Sequence, residues 1–301
     1  MKKIIIVCAL AMLAIVGLVT ACAQREPSLV TYAPADADLI GYVNLRKISA
    51  NKIGKAILAR EDAKAQIAEF EKKSGLKADE LLNSEVAVFA NTASFSGKIP
   101  AMSVIGRAKS ADDLAAKIFA AIKKDSKETK DIQVDGKKAI TGGDGEMALI
   151  ELGRNLLQIS SKQGDKGFAA LKSGAGTELG KTVDTNALVS IAYKVSDEVR
   201  KLIKENIPMI PEDVSFVAVN IRENNDSIDT VLEVKFAKPE SAEAAKGTLI
   251  TLRDNVKDSE EAKQYKKNLE GLKIDAKGDT LTITASEKVD EIIKLINEAT
   301  K

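Results

Sequence analysis

Ile4 to Val19 form an uncharged apolar run that follows Lys2 and Lys3 and closes on Val19-Thr20-Ala21-Cys22. A basic start, an apolar centre and small residues before a cut make an export leader. The closing tetrapeptide is a lipobox, the signature that marks Cys22 for lipidation. The run from Ile4 to Gln24 lies at the short end of the roughly 17 to 25 residues that span a bilayer, so a cleaved leader over residues 1–21 fits better than a membrane helix. Every later apolar run is short and interrupted by charge.

Past the lipid site the hydrophobic period changes from segment to segment. Leu39 to Leu45 alternates and predicts a strand, whereas Ile53, Ala56, Ile57, Ala63, Ile67 and Phe70 recur at three and four and predict one helix ending near Ser74-Gly75. Two strands follow, Val86 to Asn91 and Ile99 to Arg107. Ser110 is placed to cap a helix whose buried stripe is Leu114, Ile118, Phe119 and Ile122. Met147 to Leu152 and Asn155 to Ser160 read as a hairpin turning at Gly153-Arg154, and a short helical piece is expected around Phe168 to Leu171.

The order then recurs. Leu188 to Val195 corresponds to Leu39 to Leu45, and Val214 to Arg222 with Ile228 to Phe236 corresponds to the earlier strand pair. Ser241 to Lys246 echoes the cap at Ser110, Leu272 to Asp275 and Thr280 to Thr284 turn at Lys277-Gly278, and Val289, Ile292, Ile293 and Ile296 share one face of a last helix. The predicted fold class is therefore α+β: two related β-α-β-β-α-β-β-α modules with mainly antiparallel sheets and helices packed on one face. The first carries an insertion around Thr129 to Gly145 and the second a longer charged helical segment from Arg253 to Leu269. The expected division is a signal peptide over 1–21, a lipidated tether over 22–33, modules over 34–173 and 187–301, and a Gly-rich linker over 174–186. Whether the halves keep separate sheets or join edge to edge is open at this level.

Composition narrows the chemistry. Two leader lysines taken from 45 basic residues leave 43 against 44 acidic ones, a formal charge of −1 that lacks the footprint of a nucleic-acid binder. Cys8 belongs to the leader, Cys22 to the lipid, and there is no histidine. Disulfides, thiol catalysis, His-based triads and the usual zinc sites fall away with them. No tryptophan and 4% aromatic residues leave little for stacking platforms. Neither a cofactor nor a metal is expected.

Several short patterns remain. Ala175 to Thr182 fits a relaxed P-loop but lacks the strand before and the helix after that aim backbone donors at phosphate, so it reads as linker. Ser74-Gly75-Leu76-Lys77 and Ser49-Ala50-Asn51-Lys52 fit the Ser-x-x-Lys box of penicillin-binding proteins, with Lys172-Ser173-Gly174 resembling their later box. No Ser-x-Asn or Tyr-x-Asn lies between, because Tyr42-Val43-Asn44 precedes both. Asp258-Ser259-Glu260-Glu261 and the Gly142 to Glu146 loop lack the spacing of a calcium loop and read as solvated surface.

Tyr32-Ala33-Pro34-Ala35-Asp36-Ala37-Asp38, running into Leu39 to Leu45, resembles the opening of uncharacterised bacterial lipoprotein families in which such a stretch leads into a duplicated α+β body. By resemblance to proteobacterial lipoproteins, Ala23 after the cysteine implies the periplasmic face of an outer membrane, with the inner membrane and the cell surface as alternatives. The expected function is a non-enzymatic envelope lipoprotein that binds or scaffolds another envelope component. Its partners are then membrane lipid through the acylated Cys22 and an envelope protein, with no nucleic acid. A carrier of a small apolar ligand held between sheet and helices is the alternative within binding, and a serine–lysine hydrolase is the alternative across classes.

Overall fold

A computed structural model describes residues 26–92, 101–109, 113–125, 128–142, 145–162, 167–174, 176–206, 210–256 and 266–298. A single 3-10 turn over Leu29–Tyr32 leads into β1, Leu39–Asn44. The helices α1, Leu45–Ala50, and α2, Lys52–Leu58, each start on an asparagine: Asn44 Oδ1 accepts from Lys47 N at 3.0 Å and Asn51 Oδ1 from Gly54 N at 2.6 Å. The single helix expected from Ile53 to Ser74 is two. Arg60 is extended (φ −71°, ψ 146°), and α3, Glu61–Ser74, begins beyond it with Glu61 and Asp62 against the positive end of its dipole. Gly75, at φ 72°, closes α3 in the left-handed conformation.

Next come α4, Ala78–Leu82, then β2, Ser84–Ala90, and β3, Met102–Ala108. The helix α5, Leu114–Asp125, lies where the periodicity placed it, while its expected cap Ser110 is outside the described residues. The segment read as an insertion is a hairpin of β4, Lys130–Val134, and β5, Lys137–Thr141, turning on Asp135 (φ 50°) and Gly136 (φ 73°). The strands β6, Met147–Gly153, and β7, Leu156–Ser161, turn at Arg154-Asn155, one residue beyond the expected Gly153-Arg154.

Phe168 to Leu171 is not helical. Gln158, fully buried on β7, donates from Nε2 to Ala169 O at 2.9 Å and accepts Leu171 N at 2.8 Å, so this segment's backbone groups are held by a side chain instead of by a helix. Within the stretch read as a linker lies α6, Glu178–Lys181, whose Leu179 is buried. The second half contains β8, Val189–Lys194; α7, Asp197–Asn206; β9, Val214–Asn224; β10, Ser227–Phe236; and α8, Pro239–Val256. It closes with α9, Lys266–Gly271; β11, Lys273–Lys277; β12, Thr280–Lys288; and α10, Val289–Glu298.

The fold is α+β. Among the described residues, twelve strands form one antiparallel sheet in the order β11-β12-β10-β9-β8-β1-β2-β3-β7-β6-β5-β4, so the halves meet edge to edge through β1 and β8. Residues directly opposite in such a ladder share a face, which lets the register sort the core. On one face Ile40, Phe89, Ile105 and Ala192 pack against Leu29 and Val30 of the 3-10 turn and Leu179 of α6. On the other, α5 covers Ile140, Leu149 and Leu157 at one end of the sheet. At the opposite end α8 presses its fully buried Ala242 and Ala245 toward Leu281 and Ile283.

Candidate functional site

On the sheet, α5 rests through Ala115 and Phe119, which pack on Ile140, Leu149 and Leu157. Its remaining apolar residues, Leu114, Ile118 and Ile122, overhang a gap toward β3 and β2. The gap is a cavity of about 550 Å³, walled by Leu45 of α1 and Leu81 of α4 and floored by Val86, Val104, Gly106 and Ile159. Its size falls within the roughly 300–1,000 Å³ of small-molecule sites. Gly106 deepens the floor: a Cβ there would meet no heavy atom within 4 Å. Ile159, 44% exposed, stands at the rim.

Arg107 is the lone charged residue among the described lining residues. Alternation along β3 turns its side chain to the opposite sheet face, where Nη1 donates to Pro27 O at 2.8 Å and Nε lies 3.3 Å from Glu26. The lining is therefore mostly hydrocarbon and offers no charge partner. Serine, threonine and backbone atoms at its ends, including Ser84, Thr129 and Thr141, are the polar groups within reach.

The residues singled out in the sequence lie elsewhere. Cys22 is outside the described residues, as is Asp258 to Glu261. Ser74 Oγ donates to Phe70 O at 2.7 Å, while Lys77 Nζ lies 3.7 Å from Glu71. Ser49 Oγ donates to Arg46 O at 3.1 Å, and Lys52 pairs with Asp226, which holds that carboxyl below and that ammonium above their usual ranges. Ser173 Oγ shares a 2.8 Å hydrogen bond with Thr31 Oγ1. Each of these serines and lysines thus has a partner outside its own box. In the P-loop-like stretch Thr177 Oγ1 accepts Gly180 N at 3.0 Å and merely caps the four-residue α6.

Two polar clusters complete the picture. Ser190 Oγ donates to Asn220 Oδ1 at 2.6 Å, Asn220 Nδ2 donates to Glu233 at 3.0 Å, and Arg222 pairs with Asp184 at 2.7 Å. Tyr42 is buried beside Glu85; burial first, and then the Glu85 charge, push its phenol up to about 12. Both clusters are internally satisfied. Among the described residues no carboxylate group is arranged to hold a metal ion, and no helix is long and apolar enough to cross a membrane.

Sequence reasoning missed the cavity because Val86, Val104, Ile159 and Ile118 read as ordinary core positions of strands and a helix. Gly106 was the available signal, since glycine inside a strand marks a place where no side chain fills the space.

No protein-family model matches the sequence, and neither does any curated protein. The fold has been seen before. Crystal form IV of TP0453 aligns with a TM-score of 0.50 at 12% identity, over 91% of this chain and 97% of that one. Crystal form III of the same protein aligns at 0.47, also at 12% identity, over 92% and 99%. At that identity the likeness is one of fold alone.

Proposed function

We propose that this protein is a membrane-anchored envelope lipoprotein whose folded body carries a small apolar ligand in the cavity beneath α5. The observation that carries this reading is the aliphatic lining of a 550 Å³ space that α5 bridges without filling. Between the two binding readings, a scaffold needs a surface and a carrier needs a lined cavity; the cavity favours the carrier. Ser49 and Ser74 each bond a backbone carbonyl, and Lys52 and Lys77 each face a carboxylate, which lends the hydrolase reading no support.

Gly106→Leu tests the site, because the added side chain enters open space on an unstrained strand. Titration with N-phenyl-1-naphthylamine is expected to show binding to the parent protein and an affinity at least about tenfold lower in the variant, a loss of about 1.4 kcal/mol or more. Equal binding by a folded variant would remove the cavity from the mechanism.

The anchor and location are part of the same proposal: Cys22 acylated, the body held extracytoplasmically, on the periplasmic face of an outer membrane. Several acyl chains hold a protein where one would bind only marginally. Cys22→Ser is expected to move the protein from the detergent phase to the aqueous phase of a Triton X-114 partition. A variant that stays in detergent would sink the anchor.

We infer, finally, that residues 34–173 and 187–301 are related modules. Supporting this, the strand order outward from the central pair is β1-β2-β3-β7-β6 on one side and β8-β9-β10-β12-β11 on the other, with the β4-β5 hairpin added at the first edge. An experimental structure in which the halves fail to superpose strand for strand would overturn the inference.

A further inference from the structure

One row of side chains crosses nearly the whole sheet on the face that carries α5 and α8. Reading the register from strand to strand, Ile283 stands opposite Leu232, Leu232 opposite Val219, and Val219 opposite Ile191. The row continues through Gly41, Val88 and Val104 to Ile159 and Leu149. Every member is apolar or glycine. At its ends the row is covered: α5 packs on Leu149, and α8 belongs to the cluster around Ile283. In the middle it is open, with Ile191 45% exposed and Ile159 44% exposed on strands at the heart of a twelve-stranded sheet. These two bare isoleucines lie in line with half-buried Val88, Val104 and Val219, so together the row offers an apolar surface for binding.

The open stretch is continuous with the cavity, since Val104 and Ile159 belong to both. Neighbouring strands are about 4.8 Å apart, so the three steps from Val104 to Ile191 extend the cavity by roughly 14 Å. Gly41 makes a notch at the row's midpoint: a Cβ there would lie 3.7 Å from Val88 Cβ, in ordinary contact, so steric crowding does not dictate glycine. An uncharged apolar row that runs out of an aliphatic cavity as an open trough matches one ligand chemistry, a hydrocarbon chain too long for the cavity alone.

We propose that the ligand is a long acyl chain, with one end in the cavity beneath α5 and the remainder laid across β3, β2 and β1 toward Ile191. This rests on the reading of the cavity as an apolar ligand site and adds the length and the direction of the chain. The trough is then the element that measures chain length. Each further methylene removed from water raises affinity about fourfold, so discrimination should be steep while the trough is filling.

The test is displacement of N-phenyl-1-naphthylamine by octanoate and by palmitate, with the parent protein, Ile191→Asp, Gly41→Val and Gly106→Leu. Circular dichroism checks that each variant is folded; Ile191 is exposed and the Gly41 Cβ has room, so both trough variants should be. The parent is expected to prefer palmitate by at least about a hundredfold, which is only four of its extra methylenes. Ile191→Asp and Gly41→Val should lower palmitate affinity at least about tenfold and leave octanoate within about twofold, whereas Gly106→Leu should weaken both. A second arm offers dipalmitoylphosphatidylglycerol vesicles in place of free acid; transfer lost in Ile191→Asp assigns the chain to a lipid, and palmitate binding without transfer assigns it to a free fatty acid.

Three results would overturn the proposal. If the parent binds octanoate and palmitate alike, the trough is not used, though the cavity stands. If neither acid binds and Gly106→Leu changes nothing, the cavity reading itself fails. If sedimentation shows a dimer that Ile191→Asp disperses with no change in chain-length preference, the open row is an interface between copies of this chain.

Discussion

Tyr42 shows how one side chain ties stability to pH. It is 2% exposed, its hydroxyl accepts Asn44 Nδ2 at 3.3 Å, and its phenol is pushed up to about 12 from the usual 10.0. The folded state therefore keeps this proton at a pH where the unfolded chain has released it. The resulting stability is present below about pH 10 and is lost as the pH rises from there through about 12. Alkaline unfolding of the parent followed by circular dichroism should be centred in that window, and Tyr42→Phe should remove this contribution and move the midpoint upward. An unmoved midpoint would mean that another group controls alkaline unfolding. The burial of Tyr42 was legible from the alternation of Leu39 to Leu45, but its neighbour Glu85 was not, because only the β1–β2 register brings a residue so distant in sequence beside it.

At the scale of elements, local signals held where they were strong and failed where tertiary contacts substitute for them. Asp135-Gly136 between alternating residues is a hairpin signal that was on view inside the presumed insertion, and both residues adopt the positive φ that such a turn requires. Phe168 to Leu171 carried a weak helical pattern that buried Gln158 overrides by taking the segment's backbone hydrogen bonds. The corner between α1 and α2 was invisible because it depends on space rather than on propensity. A Cβ at Gly54 would lie 1.8 Å from Ile48 O and 2.7 Å from Ile48 C, so the helices meet only over a glycine. Gly54→Ala is expected to destabilise the protein by more than about 3 kcal/mol, despite alanine's better helix propensity, as read by urea unfolding. A stabilised variant would show that the corner relaxes freely.

For the whole molecule, the edge-to-edge union of the halves puts β1 and β8 at the centre of a sheet whose outer edges are β4 and β11. Amides of β1 and β8, bonded on both sides and backed by the Ile40 and Phe89 core, should exchange slowest in deuterium labelling. Those of the edge strand β4 and of α3, which buries no residue, should exchange first. Rapid exchange in β1 would mean that the halves open independently along the β1–β8 seam. The candidate site belongs to this scale too. Its residues come from α1, α4, α5 and five strands, and no pair of neighbours in sequence carries the pattern.

Residue types and periods alone determined the α+β class, the strand pair from Met147 to Ser160, the lipobox expectation at Cys22, and the exclusion of imidazole chemistry, because each depends on neighbours in the chain or on what the chain lacks. The tertiary structure decided that twelve strands make one sheet, that α5 bridges a cavity, and that Ile191 and Ile159 stay open on its central face. Those depend on strand register and on the distance between layers. The same apolar side chain reads alike in sequence whether a helix covers it or a space is left above it.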